Sequence, residues 1–294
     1  MLQGVSNKIC PFEFMHHASM LADSVRLDAF RQAIFSQIGK DDCVVDIGTG
    51  TGILASYAAT KTRGKVYGLE YFKATAECAR ELFKNSSIQN VEIVNKKSYN
   101  RPIDARVDTL ITETIGTVGP EENIVELCYE FCQRYPEIKT IIPSKLTIYA
   151  QPVYSKTIES KYEKLINSFR NASHSDFNYD ILTGDIELAY SSLIHACKVD
   201  DARFYDSPIE LISYDLGKTK RSDFSTLVQI PAENTANALH LYFVADLGND
   251  IRLSSRIGSP YTHWEHSFIH KSNESNKCEI SFSSNSRKFS IKWV

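Results

Sequence analysis

The chain has 294 residues, 43% hydrophobic and 23% charged, which are the proportions of a folded protein with a sizeable core and one or two domains. A formal net charge of −3 excludes a dedicated nucleic-acid binder, whose phosphate contacts need a basic face. Seven cysteines, an odd number without framework spacing, read as free thiols of a reducing compartment. The first residues lack a basic flank before an apolar core, and no apolar stretch approaches the ~20 residues that span a bilayer. A cytoplasmic protein with no membrane partner is expected.

Residues 1–40 read as amphipathic helix. In MLADSVRLDAFRQAIFSQIG, the apolar Met20, Leu21, Val25, Leu27, Phe30, Ala33, Ile34 and Ile38 recur at helical spacing, and Gly39 is a helix stop. Strict β/α alternation follows. CVVDIG is a short buried strand and GILASYAAT a helix; KVYGLE is a strand and YFKATAECARELFKN a helix. VEIVNK and VDTLITE are further strands, and EENIVELCYEFCQRY is a helix. This rhythm predicts an α/β, Rossmann-like, doubly wound parallel sheet with right-handed crossovers. Cys128 and Cys132, four apart on the last of these helices, read as packing residues rather than metal ligands.

Between Pro136 and Pro143 the texture changes. KTIIPSKLTIYAQPVY opens a region of alternating apolar residues, continued by IELISYDLG, STLVQIP, LHLYFVADLG, DIRLSS, CEISFSS and KFSIKWV, all antiparallel-strand patterns. The division expected is residues 1–142, N-terminal helices and a Rossmann-like cofactor domain, and residues 143–294, a β-rich, barrel-like substrate domain. A helical insertion near 155–171 presents Ile158, Tyr162, Leu165, Ile166 and Phe169 on one stripe, suited either to a second copy or to its own β-region.

DIGTGTG, between a strand and a helix, sits where a nucleotide would be seated. Gly48, Gly50 and Gly52 alternate in a chain with only 13 glycines. Glu70 ends the second strand, where a carboxylate accepts hydrogen bonds from both ribose hydroxyls, and Asp46 can hold the loop or face a cofactor amino group. No G-x-x-x-x-G-K-[ST] run is present, so a P-loop is excluded. On the glycines alone, a dinucleotide and S-adenosylmethionine both stand; the spacing leaves little room for a pyrophosphate, which favours the second.

The stretch resembles motif I and the following strand of class I S-adenosylmethionine-dependent methyltransferases. In TETIGTVGPEEN, Glu113 and Glu122 resemble the double-glutamate loop of the protein arginine methyltransferase family. HASMLADSVR is similar to that family's H-x-x-M-L-x-D-x-x-R helix, giving His17, Met20, Asp23 and Arg26. SPYTHWEH resembles its Thr-His-Trp loop, with Thr262, His263 and Trp264, and IIPSKLTIYAQPV resembles the start of its barrel. These four motifs keep the family's order over nearly the whole chain.

The resemblance implies S-adenosyl-L-methionine as cofactor, seated by Met20, Asp46, Gly48, Gly50, Gly52 and Glu70, with Arg26 on its carboxylate and Ser98 near its adenine. It implies Glu113 and Glu122 as a clamp on a substrate guanidinium, Asp23 and His263 as a pair closing the pocket, and Trp264 on the substrate side. The partners implied are an arginine-containing peptide, protein or small molecule, and a second copy forming a homodimer. Three features depart from the family. CPFEFMHH offers Phe12 and Phe14 where the family has tyrosines, the usual acidic residue at the adenine falls near Ser98 and Tyr99, and the end of the barrel is short.

The chemistry fits two carboxylates. A guanidinium is protonated at neutral pH and is a cation approaching a sulfonium cation. Paired carboxylates offset that repulsion and gather lone-pair density on one terminal nitrogen, through charge-assisted bonds that also fix the approach angle. The plainer reading is that Glu121 and Glu122 begin a helix and favour its dipole. His263 could be a structural core histidine, Trp264 core, and Arg26 a helix-surface residue. On one extended strand His263 and His266 would point to opposite faces, which disfavours a shared ion, so no metal is expected. Two other functions remain open: methylation of a side-chain amide or other small nitrogen nucleophile, and a non-catalytic cofactor-binding scaffold. DNA methylation is disfavoured, since no Asp/Asn-Pro-Pro-aromatic run follows the fourth strand.

Overall fold

The computed structural model describes residues 11–96, 103–170, 182–231, 235–271 and 275–294, with side chains from residue 17 onward. Two helices open it, α1 (Pro11–Ala22) and α2 (Ser24–Gln37). The single amphipathic run expected there is broken at Asp23. Its carboxylate caps α2 by accepting from the Arg26 amide at 3.0 Å, satisfying one of the donors that a helix start leaves open. Beyond the cap, Phe30, Ala33 and Ile34 turn into the core.

The alternating region folds as β1 (Val44–Ile47), α3 (Ile53–Lys61), β2 (Val66–Leu69), α4 (Lys73–Lys84), β3 (Val91–Val94) and β4 (Thr109–Thr112). A 3₁₀ turn (Pro120–Glu122), α5 (Ile124–Arg134) and β5 (Thr140–Ile142) complete it. The five strands are all parallel, in the order β3-β2-β1-β4-β5. Every residue of β1 and β4 is buried, because helices cover both faces of the sheet. Strand order reverses between β1 and β4, and the crevice beyond their carboxyl ends is where open α/β sheets hold ligands.

After Ile142 the pairing turns antiparallel. The elements are β6 (Lys145–Tyr154), α6 (Lys156–Arg170), α7 (Thr183–Ser191), β7 (Ile194–Cys197), β8 (Arg203–Phe204), β9 (Ile209–Asp215) and β10 (Phe224–Gln229). They continue with β11 (Ala238–Gly248), β12 (Ile251–Ser254), β13 (His266–His270), β14 (Lys277–Ser283) and β15 (Lys288–Trp293). They form a sheet of seven strands, β7-β13-β11-β6-β8 with β12 on β11 and β9 on β6, and a sheet of three, β10-β14-β15. Among the described residues the pairing does not close into a barrel. The barrel-like half is therefore two antiparallel sheets.

One apolar core runs through both halves, joining Phe30, Ile34, Leu110 and Phe131 to Leu146, Phe243 and Leu247. A second cluster of Val153, Ile158, Val199 and Phe268 seats α6. The stripe on α6 is thus mostly covered by its own chain: Ile158 and Ile166 are buried, and Tyr162 stacks on His270 at 4.1 Å. Leu165 stays exposed, as do Leu188 of α7 and Leu193. The six described cysteines are free, and Cys128 is buried in the core. Among the described residues no helix is long and apolar enough to cross a membrane.

Candidate active site

The glycine loop leaves β1 and enters α3 with Gly48, Gly50 and Gly52 at φ 72°, 55° and 88°, left-handed backbone that favours glycine. Its amides are spent inside the protein. Those of Gly48 and Thr49 donate to the Leu69 carbonyl at 2.9 and 3.1 Å, that of Gly50 to Glu70 Oε2 at 3.0 Å, and that of Gly52 to the Thr49 carbonyl at 2.8 Å. A phosphate cradle needs converging free amides; these four are committed, which fits a ligand that presents no phosphate. Gly48 and Gly50 line the adjoining cavity. Gly52 does not: it begins α3, and a Cβ there would fall 2.5 Å from Phe83 Cε2.

Glu70 is buried at the end of β2. Besides Gly50, it accepts from the Phe72 amide at 2.8 Å, so it holds the two loop ends together while facing the cavity. Asp46, also buried, accepts from Thr49 Oγ1 at 2.6 Å and holds the glycine loop. Burial pushes its carboxyl up to about 7, against the pull of that bond. Met20 lines the same cavity, and Ser98 lies outside the described residues.

Glu113 leaves the carboxyl end of β4, and Glu122 ends the 3₁₀ turn that leads into α5; both line the cavity. Burial pushes Glu113 up to about 7 although the Arg26 guanidinium pulls it down, and the nearby Glu122 adds to the rise. Glu122 goes up to about 7 as well, through burial and the charge of Glu121; its open surface faces the cavity. Arg26, 3% exposed, is not a surface residue. Its Nη1 pairs with Glu113 Oε2, its Nη2 donates to the Met20 carbonyl at 2.9 Å, and its buried Nε has no hydrogen-bond partner among the described residues.

Asp23 joins this site to the far end of the chain. Its Oδ2 accepts from the His263 amide at 2.9 Å and from His263 Nδ1 at 2.8 Å. The neighbouring Trp264 is buried edge-on against Phe243, and its Nε1 donates to the Ile115 carbonyl at 2.9 Å. That bond ties the Glu113–Glu122 loop to the antiparallel half. The other two histidines go elsewhere: His266 Nδ1 accepts from the Val199 amide at 3.0 Å, and His270 stacks on Tyr162. His263 precedes β13 rather than lying in it. No group of three or more metal-ligating side chains occurs among the described residues.

Met20, Arg26, Asp46, Gly48, Gly50, Glu70, Glu113, Glu122, His263 and Trp264 border one cavity of about 940 Å³, and Asp23 supports its wall through His263. Two contributors were not legible in the sequence. Glu121 accepts from the amides of Val118 and Gly119, and the Trp264 indole holds Ile115. Two adjacent glutamates look alike in a sequence, and nothing in SPYTHWEH names the carbonyl that its tryptophan will find.

No protein-family profile matches the chain. An uncharacterized protein of Methanocaldococcus jannaschii is 33% identical over 155 residues, 52% of this chain and 59% of that protein. Protein arginine N-methyltransferase PRMT10 of Oryza sativa subsp. japonica is 30% identical over 167 residues, 54% of this chain and 43% of that protein. The Trypanosoma brucei PRMT1 enzyme-prozyme heterotetrameric complex with AdoHcy superposes with a TM-score of 0.77 at 21% identity, covering 94% of this chain and 90% of that one. The chain is similar in sequence to protein arginine N-methyltransferases over about half its length. It has the protein arginine methyltransferase fold and spans about half the length of the two curated relatives above. Arg26, which pairs with Glu113, lines the same cavity as the glycine loop.

Proposed function

We propose that the chain is an S-adenosylmethionine-dependent N-methyltransferase acting on the guanidino nitrogen of arginine, in a peptide, a protein or the free amino acid. The carrying observation is that Glu113 and Glu122 face the same cavity as the glycine loop and Glu70. The name of the rice relative and the AdoHcy in the trypanosome complex support this reading.

The residues fit the cofactor. Glu70 would take the ribose, Gly48 and Gly50 allow close approach of the backbone, and the orphaned Nε of Arg26 suits the carboxylate. When bound, the cofactor supplies an electrophilic methyl group on a sulfonium. Glu113 and Glu122 hold the guanidinium by charge-assisted bonds and offset its repulsion from that sulfonium. With its carboxyl raised to about 7, Glu122 suits uptake of the proton that the nitrogen gives up at neutral pH. Asp23 and His263 keep the antiparallel half against the helices, and Trp264 holds the glutamate loop on the substrate side.

A product-resolved methylation assay on arginine, arginine peptides and asparagine peptides tests this. Methylarginine is the expected product; methylated amide alone, or no transfer with intact cofactor binding, would overturn it. We further infer a cytoplasmic homodimer that uses the exposed Leu165, Leu188 and Leu193. Sedimentation showing only monomer at micromolar concentration would refute the dimer.

A further inference from the structure

Glu121 and Glu122 are adjacent and identical in type, yet they face opposite ways. Glu122 lines the cavity and Glu121 does not. Glu121 Oε1 accepts from the Val118 amide at 2.9 Å, and its Oε2 accepts from the Gly119 amide at 2.7 Å. The side chain crosses the loop directly over Gly116, where an added Cβ would sit 2.5 Å from Glu121 Oε2 and 2.7 Å from Glu121 Cβ. The Gly116 amide meets the Gly119 carbonyl at 2.8 Å, closing the bend, and Gly119 has φ 145°, which needs glycine. The loop between the two cavity glutamates is thus tied at its middle by a third.

We propose that Glu121 is a positioning residue for methyl transfer, fixing the spacing and orientation of Glu113 and Glu122 by holding the Val118 and Gly119 amides. The role rests on the reading of Glu113 and Glu122 as the guanidinium clamp. Only an ionised carboxylate accepts from both amides; a protonated acid or an amide turns a donor toward one of them. The charge of Glu121 also adds to burial in raising Glu122. Glu113, with Arg26 behind it, feels the charge of Glu122, and other titratable groups lining the same cavity include Glu126 of α5, Glu130, Lys96, Arg287, Glu265 and His263 paired with Asp23.

The test compares the full-length wild type with Glu121→Gln and Gly116→Ala on an arginine peptide, with S-adenosylhomocysteine affinity measured by calorimetry. In Glu121→Gln, kcat is expected to fall about tenfold or more while the affinity stays within about threefold. The acid limb of kcat/KM should move to lower pH, because Glu122 loses a like-charged neighbour. Gly116→Ala displaces the same side chain without removing its charge, so it should lower kcat and leave the limb in place; it carries the test if Glu121→Gln does not fold. Wild-type kcat in either folded variant overturns the role, as does a parallel loss of affinity and rate with an unmoved limb in Glu121→Gln. A wild type that methylates no arginine peptide overturns the functional reading itself, and this role with it.

Discussion

Asp23 and His263 lie 240 residues apart and meet through one carboxylate oxygen, which accepts from both the backbone amide and Nδ1 of the histidine. The other oxygen caps α2. A single side chain thus starts a helix, pins the loop before β13, and holds the wall of the cavity near Arg26. Burial tends to raise the Asp23 carboxyl; the bonds from His263 and the Arg26 amide outweigh burial and leave it below its ordinary value.

Asp23→Ala should destabilise the fold by about 1–3 kcal/mol, because the helix-cap amide and both His263 donors lose their acceptor. Asp23→Asn should cost less, since one oxygen remains. The folded carboxyl sits below its unfolded value of 3.8, so the contribution is complete above about pH 4 and is lost as pH falls through the folded value. Urea denaturation at pH 7 reads it; an unchanged midpoint in Asp23→Ala would show that the bridge contributes nothing.

Removing either clamp charge should act on turnover rather than on cofactor binding. Glu113→Gln and Glu122→Gln are each expected to lower kcat by about 10²–10³-fold, with S-adenosylhomocysteine affinity within about threefold. Glu113→Gln carries an added consequence, since Arg26 loses its partner and keeps a buried charge. Its thermal midpoint should fall below that of Glu122→Gln. Near-normal turnover in both folded variants would return the loop to a plain helix start.

How much of this was legible follows from which forces leave a local mark. The parallel half was readable because fully buried strands must be apolar runs and because the turn at Gly48 to Gly52 can hold little besides glycine. The 3₁₀ turn at Pro120–Glu122 shows that the helix-start and clamp readings of PEEN describe one segment. The antiparallel strands were readable by alternation, but barrel closure was not, since it depends on which edges meet. Helix α7 and strand β7 were missed: α7 has few buried residues, and β7 alternates weakly. The pairing of Arg26 with Glu113, 87 residues away, is a tertiary fact with no local signature.

The glycines separate by role. Gly52→Ala should lower stability by about 1–3 kcal/mol, because the residue is left-handed and its Cβ meets the Phe83 ring at 2.5 Å. Gly50→Ala has its nearest contact at His17 Cε1, 3.1 Å away, at φ +55°, which alanine adopts for about 1–2 kcal/mol. Its methyl group would lie at the cavity wall, so weaker cofactor binding is the larger effect. Thermal melts and calorimetry distinguish the two. A Gly52→Ala variant with a normal melt and weakened binding would place that glycine at the ligand after all.

The last prediction concerns acid stability, where two sets of groups oppose each other. His240 is wholly buried; its Nδ1 donates to the Ser267 carbonyl at 2.8 Å, and its Nε2 accepts from the Ile257 amide at 2.9 Å. Burial lowers it to about 3, and lowers His270 to about 4. The unfolded chain therefore protonates these two first as pH falls below 6.5, and each removes about 1.4 kcal/mol per pH unit until its folded value is reached. Asp46, Glu113 and Glu122 work the other way. Raised to about 7 in the fold, they take up protons there before they do in the unfolded chain, and so favour the fold as pH falls from 7 toward 4.5. Three such acids against two histidines mean that wild-type stability should not fall between pH 7 and 5. The double variant Glu113→Gln/Glu122→Gln lacks two of the opposing acids and keeps both histidines, so its urea midpoint should fall over that range relative to the wild type. Parallel midpoints in variant and wild type would mean that the glutamates titrate at ordinary values and that their role in proton uptake at neutral pH must be abandoned.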